Sequence, residues 1–383
     1  MPIEFDALVV GAGITGCSAT YFLAKNGVSV ACVDKSDINT GASSRNSGSL
    51  HGQIQYHQFV EKGIEWTRRF LPALRLLLAS IEIWNSLERE LGLDVEVKTR
   101  GGLLLADSVE QMSLIETKVK LEHEIGMDTV ILTREELLDY APYVSDKVIG
   151  AELSPYEGKA NPLLAAPAFY LAAKQLGAVF YKNTEVIRWE KRTDGRFLVR
   201  TSRHDLVCDA LVICAGDGMQ ELISYAGINL PIGNDPIQSS VTEQVEPFID
   251  HLLYYAGDKL TLKQAKVGSL LIGGGWPAQW EVPDFRPKVD VSSLIANLRV
   301  AIKVVPRLAN VRLLRAWAGV LAVTPDDLPI LGPVDTVPGL YVGIYPYLGF
   351  TAGPILGKIL SELVINGGKS QYDLKPFSIK RFL

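Results

Sequence analysis

Cysteine is scarce in this chain, with four residues among 383, and none of the four stands in a C-x-x-C pair. Cys17, Cys32, Cys208 and Cys214 each lie in or beside an apolar run. They read as small core residues in a reducing compartment, which argues against a disulfide scaffold and against a metal or iron–sulfur ligand set in this chain. Basic runs are also wanting. The net charge is -5, and no Lys/Arg stretch marks a nucleic-acid surface. A bound anion would need local positive charge or helix dipoles. The longest apolar stretch, "FLPALRLLLASIEIW", contains Arg75 and is too short to span a bilayer, so no integral membrane segment is expected. The opening "MPIEFDALVV" has acidic residues where a secretory signal has basic ones, so no targeting peptide is read and a cytoplasmic location is expected. There is no G-x-S-x-G nucleophile motif, no internal repeat and no low-complexity linker.

What is present is an ordinary globular composition, 48% hydrophobic and 21% charged, enough for one large core or two coupled ones. Residues 5–10, "FDALVV", read as a buried strand. "GAGITG" follows, then a helical stretch stopped at Gly27, then a second buried strand, "VSVACVD". Gly11, Gly13 and Gly16 thus form G-x-G-x-x-G between a strand and a helix. Those glycines give a tight turn, backbone approach to a pyrophosphate and close helix–strand packing; Ala12, Ile14 and Thr15 complete the turn. The helix N-terminus offers free N–H groups to phosphate. Asp34 closes the second strand, 23 residues after Gly11, where an acid accepts hydrogen bonds from a ribose diol.

The glycine pattern alone leaves NAD and FAD both open. Two further stretches favour FAD. "GASSRNSGSLHGQ", residues 41–53, is composed of small and polar residues apart from Arg45, Leu50 and His51. It can line an extended dinucleotide with backbone N–H groups and short hydroxyls. "GIYPYLGFTAGP", near the C-terminus, opens a second helix whose dipole would stabilise negative charge on a reduced flavin.

Elsewhere, residues 58–92 read as one long helix or two, 101–107 as a strand, and 108–125 as a charged helix. Asn161-Pro162 opens a helix running to Gly177. Strands follow at 178–181, 184–190, 196–201, 206–208 and 210–216, and antiparallel strands at 236–244, 252–256, 259–264 and 268–274. The expected fold is α/β (α+β). A Rossmann-like FAD-binding domain of the glutathione-reductase/D-amino-acid-oxidase type would comprise 1–90, 145–225 and 315–383. A mainly antiparallel substrate domain, 91–144 and 226–314, would be interleaved with it.

Together these stretches resemble the D-amino-acid-oxidase-like superfamily of FAD amine oxidoreductases, which includes glycine oxidase, sarcosine oxidase and proline dehydrogenase subunits. The carriers span the chain: "VVGAGITG…CVD", "GASSRNSGSLHG", "ANPLLAAPAFYLAAKQLGAVFYKNTEV", "DALVICAG", "WAGVLAVTPDDLPILGP" and "GLYVGIYPYLGFTAGPILGKILSEL". "SSRNSGSLHGQIQ" is most similar to the β subunits of bacterial opine (octopine or nopaline) oxidases. It also resembles hydroxyproline dehydrogenase and hydrogen cyanide synthase flavoprotein subunits.

The resemblance assigns Asp34 and Lys35 to ribose and adenine, and Val186 to a backbone contact with adenine. The bland reading of Val186, a strand core residue, is compatible with that. Ala42, Ser43, Ser44, Asn46, Ser47 and Gly48 fall over the pyrophosphate, ribityl chain and flavin. Ala215 and Gly216 fall beside the ADP portion, and Gly319, Leu348, Gly349, Phe350 and Thr351 at the flavin. Leu50 and His51 follow the flavin loop; His51 either orients a substrate carboxylate, tunes flavin N5, attaches the flavin covalently or is a hydrogen-bonded structural histidine. Relatives often carry a carboxylate-clamping Arg in the segment matching "WAGVLAVTPDD", yet residues 319–323 here read Gly-Val-Leu-Ala-Val. Tyr255, Lys263 and Gln264 are the remaining candidates to hold a substrate acid.

The implied chemistry is oxidation of an amino-acid or amine C–N bond by hydride transfer to flavin N5, with hydrolysis of the imine. The implied setting is a multi-subunit dehydrogenase with an α subunit, a small iron–sulfur subunit and a second flavin, FMN, at an interface. The rival readings are a self-sufficient peroxide-forming glycine, sarcosine or D-amino-acid oxidase, a proline or hydroxyproline dehydrogenase subunit, and a non-catalytic electron-transfer scaffold.

Overall fold

The computed structural model describes residues 2–383. Two eight-stranded sheets organise it. In the first, Ile3–Val10 is central, flanked by Val30–Val33 and Asp205–Ile213, with Val179–Tyr181 and Leu340–Ile344 beyond them, all parallel. Ile330–Pro333 closes the far edge antiparallel.

The apolar run "ALVV" is continuous because both faces of its strand are covered. Ala7 and Val9 pack with the helices Ile14–Lys25, Pro162–Gln175 and Gly349–Ile365; Leu8 and Val10 pack with the opposite layer, including Trp189 and Phe197. The stretches expected as separate strands, 206–208 and 210–216, are one strand. Its first half pairs with Phe197–Thr201, which in turn pairs with Val186–Lys191, and its second half pairs with Leu340–Ile344.

The second sheet runs Leu313–Val323, Gly233–Gln244, Ser269–Pro277, Thr261–Gln264, Leu252–Tyr255, Gly102–Ala106, Gly150–Ser154, Val130–Thr133. Neighbours are antiparallel except Leu252–Tyr255 beside Gly102–Ala106. The strands at 150–154 and 313–323 therefore lie in this second sheet, although the expected division grouped them with the first. Strand 313–323 pairs with the long strand 233–244 over most of its length, and that pairing decides its sheet.

The segment 58–92 forms the helix Tyr56–Leu91, kinked where Gly63 leaves helical geometry (φ 79°, ψ -175°), and it ends on Gly92 in the left-handed region. It is the one helix among the described residues long and apolar enough to cross a membrane, but 56% of that window is buried inside the protein. Phe70, Leu74, Leu77 and Trp84 belong to the same core as the C-terminal helix. All four cysteines are free and buried.

Candidate active site

The turn after the first strand is held by the Gly11 N–H, which donates to Val33 O at 2.8 Å, with Gly11 at φ +104°. Asp34 braces the turn. Its Oδ2 accepts from Ala12 N–H at 2.6 Å and its Oδ1 from Ser36 N–H at 2.7 Å. Burial raises its carboxyl pKa above the usual value, while these two donors pull it down. The Ile14 N–H donates to Ser43 Oγ at 3.0 Å, so the loop after residue 40 lies across the start of the first helix.

A cavity of about 420 Å³ runs from this turn to the C-terminal helix. Gly11, Gly13, Ile14 and Thr15 line it at the turn, with Asp34 and Lys35. Val186, Ala215 and Gly216 line it on one side, and Ala42, Ser43 and Asn46 on the loop side. Gly349 and Phe350 close the far end. Neither the helix starting at Ile14 nor that starting at Gly349 has an acidic residue in its first turn. Two positive helix ends thus open into one cavity, and a side chain grafted onto Gly349 would meet open space. That donor set fits an anionic dinucleotide joined to a ring that accepts electrons.

Several expected contacts are placed differently. Ser44 Oγ donates to Gly41 O, and Gly48 lies against Ala160, so both shape the loop rather than line the cavity. Gly319 abuts the Arg45 side chain, and Trp317 Nε1 donates to Arg45 O at 2.7 Å, fixing the loop to strand 313–323. Leu348 is buried in the core, and Leu50 is fully buried, contributing backbone pairing to Gly158 rather than a surface for substrate. Ser47 is reached from beneath. Lys263 Nζ, fully buried, donates to Ser47 Oγ at 2.8 Å and Ser49 Oγ at 2.7 Å. Burial and the nearby Lys159 bring its pKa down to about 7. Its amine therefore supports the loop.

Gln264 is corrected outright. Its Oε1 accepts from Phe248 and Ile249 N–H, and its Nε2 donates to backbone carbonyls of Val245 and Gly268, so its amide is consumed by a local turn. Tyr255 is corrected as well. Its hydroxyl donates to Asp107 Oδ2 at 2.6 Å and pairs with Lys303, on the face of the strand turned away from His51.

The adjacent residue, Tyr254, stands beside His51 instead. His51 Nδ1 and Tyr254 Oη are 2.8 Å apart, and Tyr254 Oη donates to Glu157 Oε1 at 2.8 Å. Gly52 N–H donates to Glu157 Oε1 at 2.9 Å and Gln53 Nε2 to Glu157 Oε2 at 2.5 Å. Burial carries the His51 pKa down to about 3 and the Glu157 pKa up to about 7. The His51 N–H donates to Thr351 Oγ1 at 3.0 Å, and Thr351 O accepts from Ser80 Oγ and Trp84 Nε1. Thr351 thus ties the loop, the long helix and the C-terminal helix together. Sequence reasoning missed Tyr254, Glu157 and Gln53. Strand alternation, with His51's partner known, would have selected Tyr254 over Tyr255; nothing local singles out Glu157.

These features define a dinucleotide-dependent oxidoreductase in which one long cavity links a phosphate-binding turn to a second helix N-terminus. The particular family is settled by a match over residues 6–363: the chain belongs to the FAD dependent oxidoreductase (DAO) family. It is 25% identical over 387 residues to the B subunit of opine oxidase from Rhizobium meliloti, covering 99% of this chain and 98% of that protein. It is also 25% identical over 388 residues to the β subunit of sarcosine oxidase from an Arthrobacter species, covering 99% and 91%. Among solved structures, glycine oxidase from Geobacillus kaustophilus superposes with a TM-score of 0.88 over 100% of both chains at 24% identity. The protein is an FAD-dependent oxidoreductase of amino acids or amines.

Proposed function

We propose that this chain oxidises the C–N bond of an opine-type secondary amino acid, as the flavin-bearing member of a multi-subunit dehydrogenase in the cytoplasm. The observation that carries the reading is the path of residues 41–53, which run from the phosphate-binding turn to the second helix end and deliver His51 there. Bound FAD supplies the acceptor for the hydride that leaves the carbon next to nitrogen. Asp34, the Gly11–Thr15 turn and Val186 would hold the adenosine half; Ser43, Asn46, Gly349 and Phe350 would hold the remainder. Half-buried His51, its ring desolvated, stays uncharged near neutrality and offers an uncharged partner to a substrate N–H. The likeness to individual subunits of opine oxidase and sarcosine oxidase supports a multi-subunit setting; the partners proposed are an α subunit and an iron–sulfur subunit. These relatives lend no support to a bound FMN, and none is proposed.

A second reading, a self-sufficient oxidase, is favoured by the superposition on glycine oxidase. One experiment separates the substrates. The FAD-loaded chain is mixed anaerobically with octopine, nopaline, proline, hydroxyproline, sarcosine or glycine, and flavin bleaching is followed. Fast bleaching by an opine supports the proposal, and fast bleaching by glycine or sarcosine alone overturns the opine assignment. Peroxide release by the isolated chain at full turnover would favour the oxidase.

His51→Ala should retain FAD while bleaching by the best amine slows about 10²-fold. Loss of FAD from this variant would assign His51 to the cofactor instead.

A further inference from the structure

We propose that His51, Tyr254 and Glu157 form a relay that takes the proton of the substrate ammonium out of the site and leaves it on Glu157. This deepens the amine-oxidation reading and rests on it for the identity of the proton donor. An amine must be unprotonated before hydride can leave the adjacent carbon, so the ammonium proton needs a destination.

The geometry supplies one. Tyr254 has a single hydroxyl proton and donates it to Glu157 Oε1. Its oxygen is then free only to accept, so the 2.8 Å contact with His51 requires Nδ1–H. His51 Nε2 has no partner among the described residues and is not among the buried unpaired atoms, and the side chain is half-buried. Its lone pair therefore reaches accessible space, where the substrate amine would sit. A proton arriving at Nε2 breaks the ammonium N–H bond and forms Nε2–H. The Nδ1 proton passes to Tyr254 Oη, and the original Tyr254 proton passes to Glu157. The substrate goes from charge +1 to 0 and Glu157 from -1 to 0; no charge stays on the ring. The affinities run the same way, with His51 near 3 and Glu157 near 7.

Glu157 is fully buried in a notch cut for it. A Cβ on Gly102 would fall 1.8 Å from Glu157 Oε2. Lys118 acts on Glu157 from the helix Val109–His123, and Glu152, with Glu122 beside it, acts on Tyr254 from the strand Gly150–Ser154. Lys263 acts on His51 from the strand Thr261–Gln264. Tyr254 and Glu157 are positioning residues for His51.

The test is a two-bond nitrogen–proton correlation spectrum of the FAD-loaded full chain labelled with 15N-histidine, without substrate, between pH 5.5 and 8.5. His51→Asn assigns the signal. The expected result is an Nδ1–H neutral ring at high pH that becomes an Nε2–H neutral ring as pH falls through about 7. Tyr254→Phe should abolish that exchange, and Glu157→Gln should leave one tautomer at every pH. Persistence of the exchange in Tyr254→Phe, or a tautomer in the unmodified protein that ignores pH, overturns the relay. With an amine that bleaches FAD, the unmodified rate should rise with pH through about 7. Glu157→Gln should be at least tenfold slower at pH 8 and lack the inflection. Loss of rate with the inflection intact would mark Glu157 as merely structural. If no amine bleaches FAD, the amine reading fails while the tautomer result still stands by itself.

Discussion

Lys118→Met is expected to cost about 3–5 kcal/mol of stability at pH 8, because it strands two carboxylates in the core. Lys118 is fully buried, with Nζ 2.6 Å from Glu122 Oε1 and 2.7 Å from both oxygens of Glu152. Glu122 Oε1 also accepts the Ile54 N–H at 2.7 Å, but Glu122 Oε2 has no partner. The lysine is the cation both acids contact. Burial first, and Glu122 second, raise the Glu152 pKa well above the usual value even with Lys118 present.

The sign of the pH dependence follows. An acid whose folded pKa lies above its unfolded one weakens the fold as pH rises through the interval between them. Removing Lys118 widens that interval. The deficit of the variant should therefore be largest at pH 8 and shrink at pH 5.5, where more of the acid is protonated. Urea midpoints at the two pH values measure it. Equal deficits at both would show that lost packing, not stranded charge, is the cause.

Gly16→Ala should leave a protein that binds FAD roughly a hundredfold more weakly, about 3 kcal/mol. An added Cβ would lie 1.7 Å from the Gly11 carbonyl oxygen and 2.9 Å from its carbon, both backbone atoms with no rotamer to yield. The helix Ile14–Lys25 must then lift off the turn. That lift separates the Ile14 N–H from Ser43 and moves the helix end away from phosphate. Gly27→Ala is the control for backbone strain without collision, since its φ of +77° burdens any side chain while its added Cβ meets nothing within 4 Å. The yellow colour surviving dialysis reports the outcome; equal retention in both variants would contradict the packing argument.

The strand–turn–helix–strand unit was legible because its information is local: consecutive residues carry the period, the glycines and the acid. The loop at 41–53 was legible by composition. The substrate side was not. Tyr255 and Tyr254 are equivalent in sequence, and only the pairing of Leu252–Tyr255 with Gly102–Ala106 decides which one faces His51. Glu157 meets Gly52 and Gln53 across 105 and 104 positions of chain, and no periodicity encodes that. Gln264 looked available because its hydrogen-bond partners are backbone atoms of a turn, which carry no sequence signal.

Thr351 has a consequence for biosynthesis. Residues 11–35 leave the ribosome early, yet the cavity they begin is closed by Gly349 and Phe350, and the His51 backbone gains its partner only once Thr351 has arrived. A nascent chain that has not reached Thr351 lacks the far end of the pocket and the tie from His51 to the helix Gly349–Ile365. Capture of the whole cofactor must follow synthesis of the helix Gly349–Ile365, so a coloured molecule is one translated through that helix.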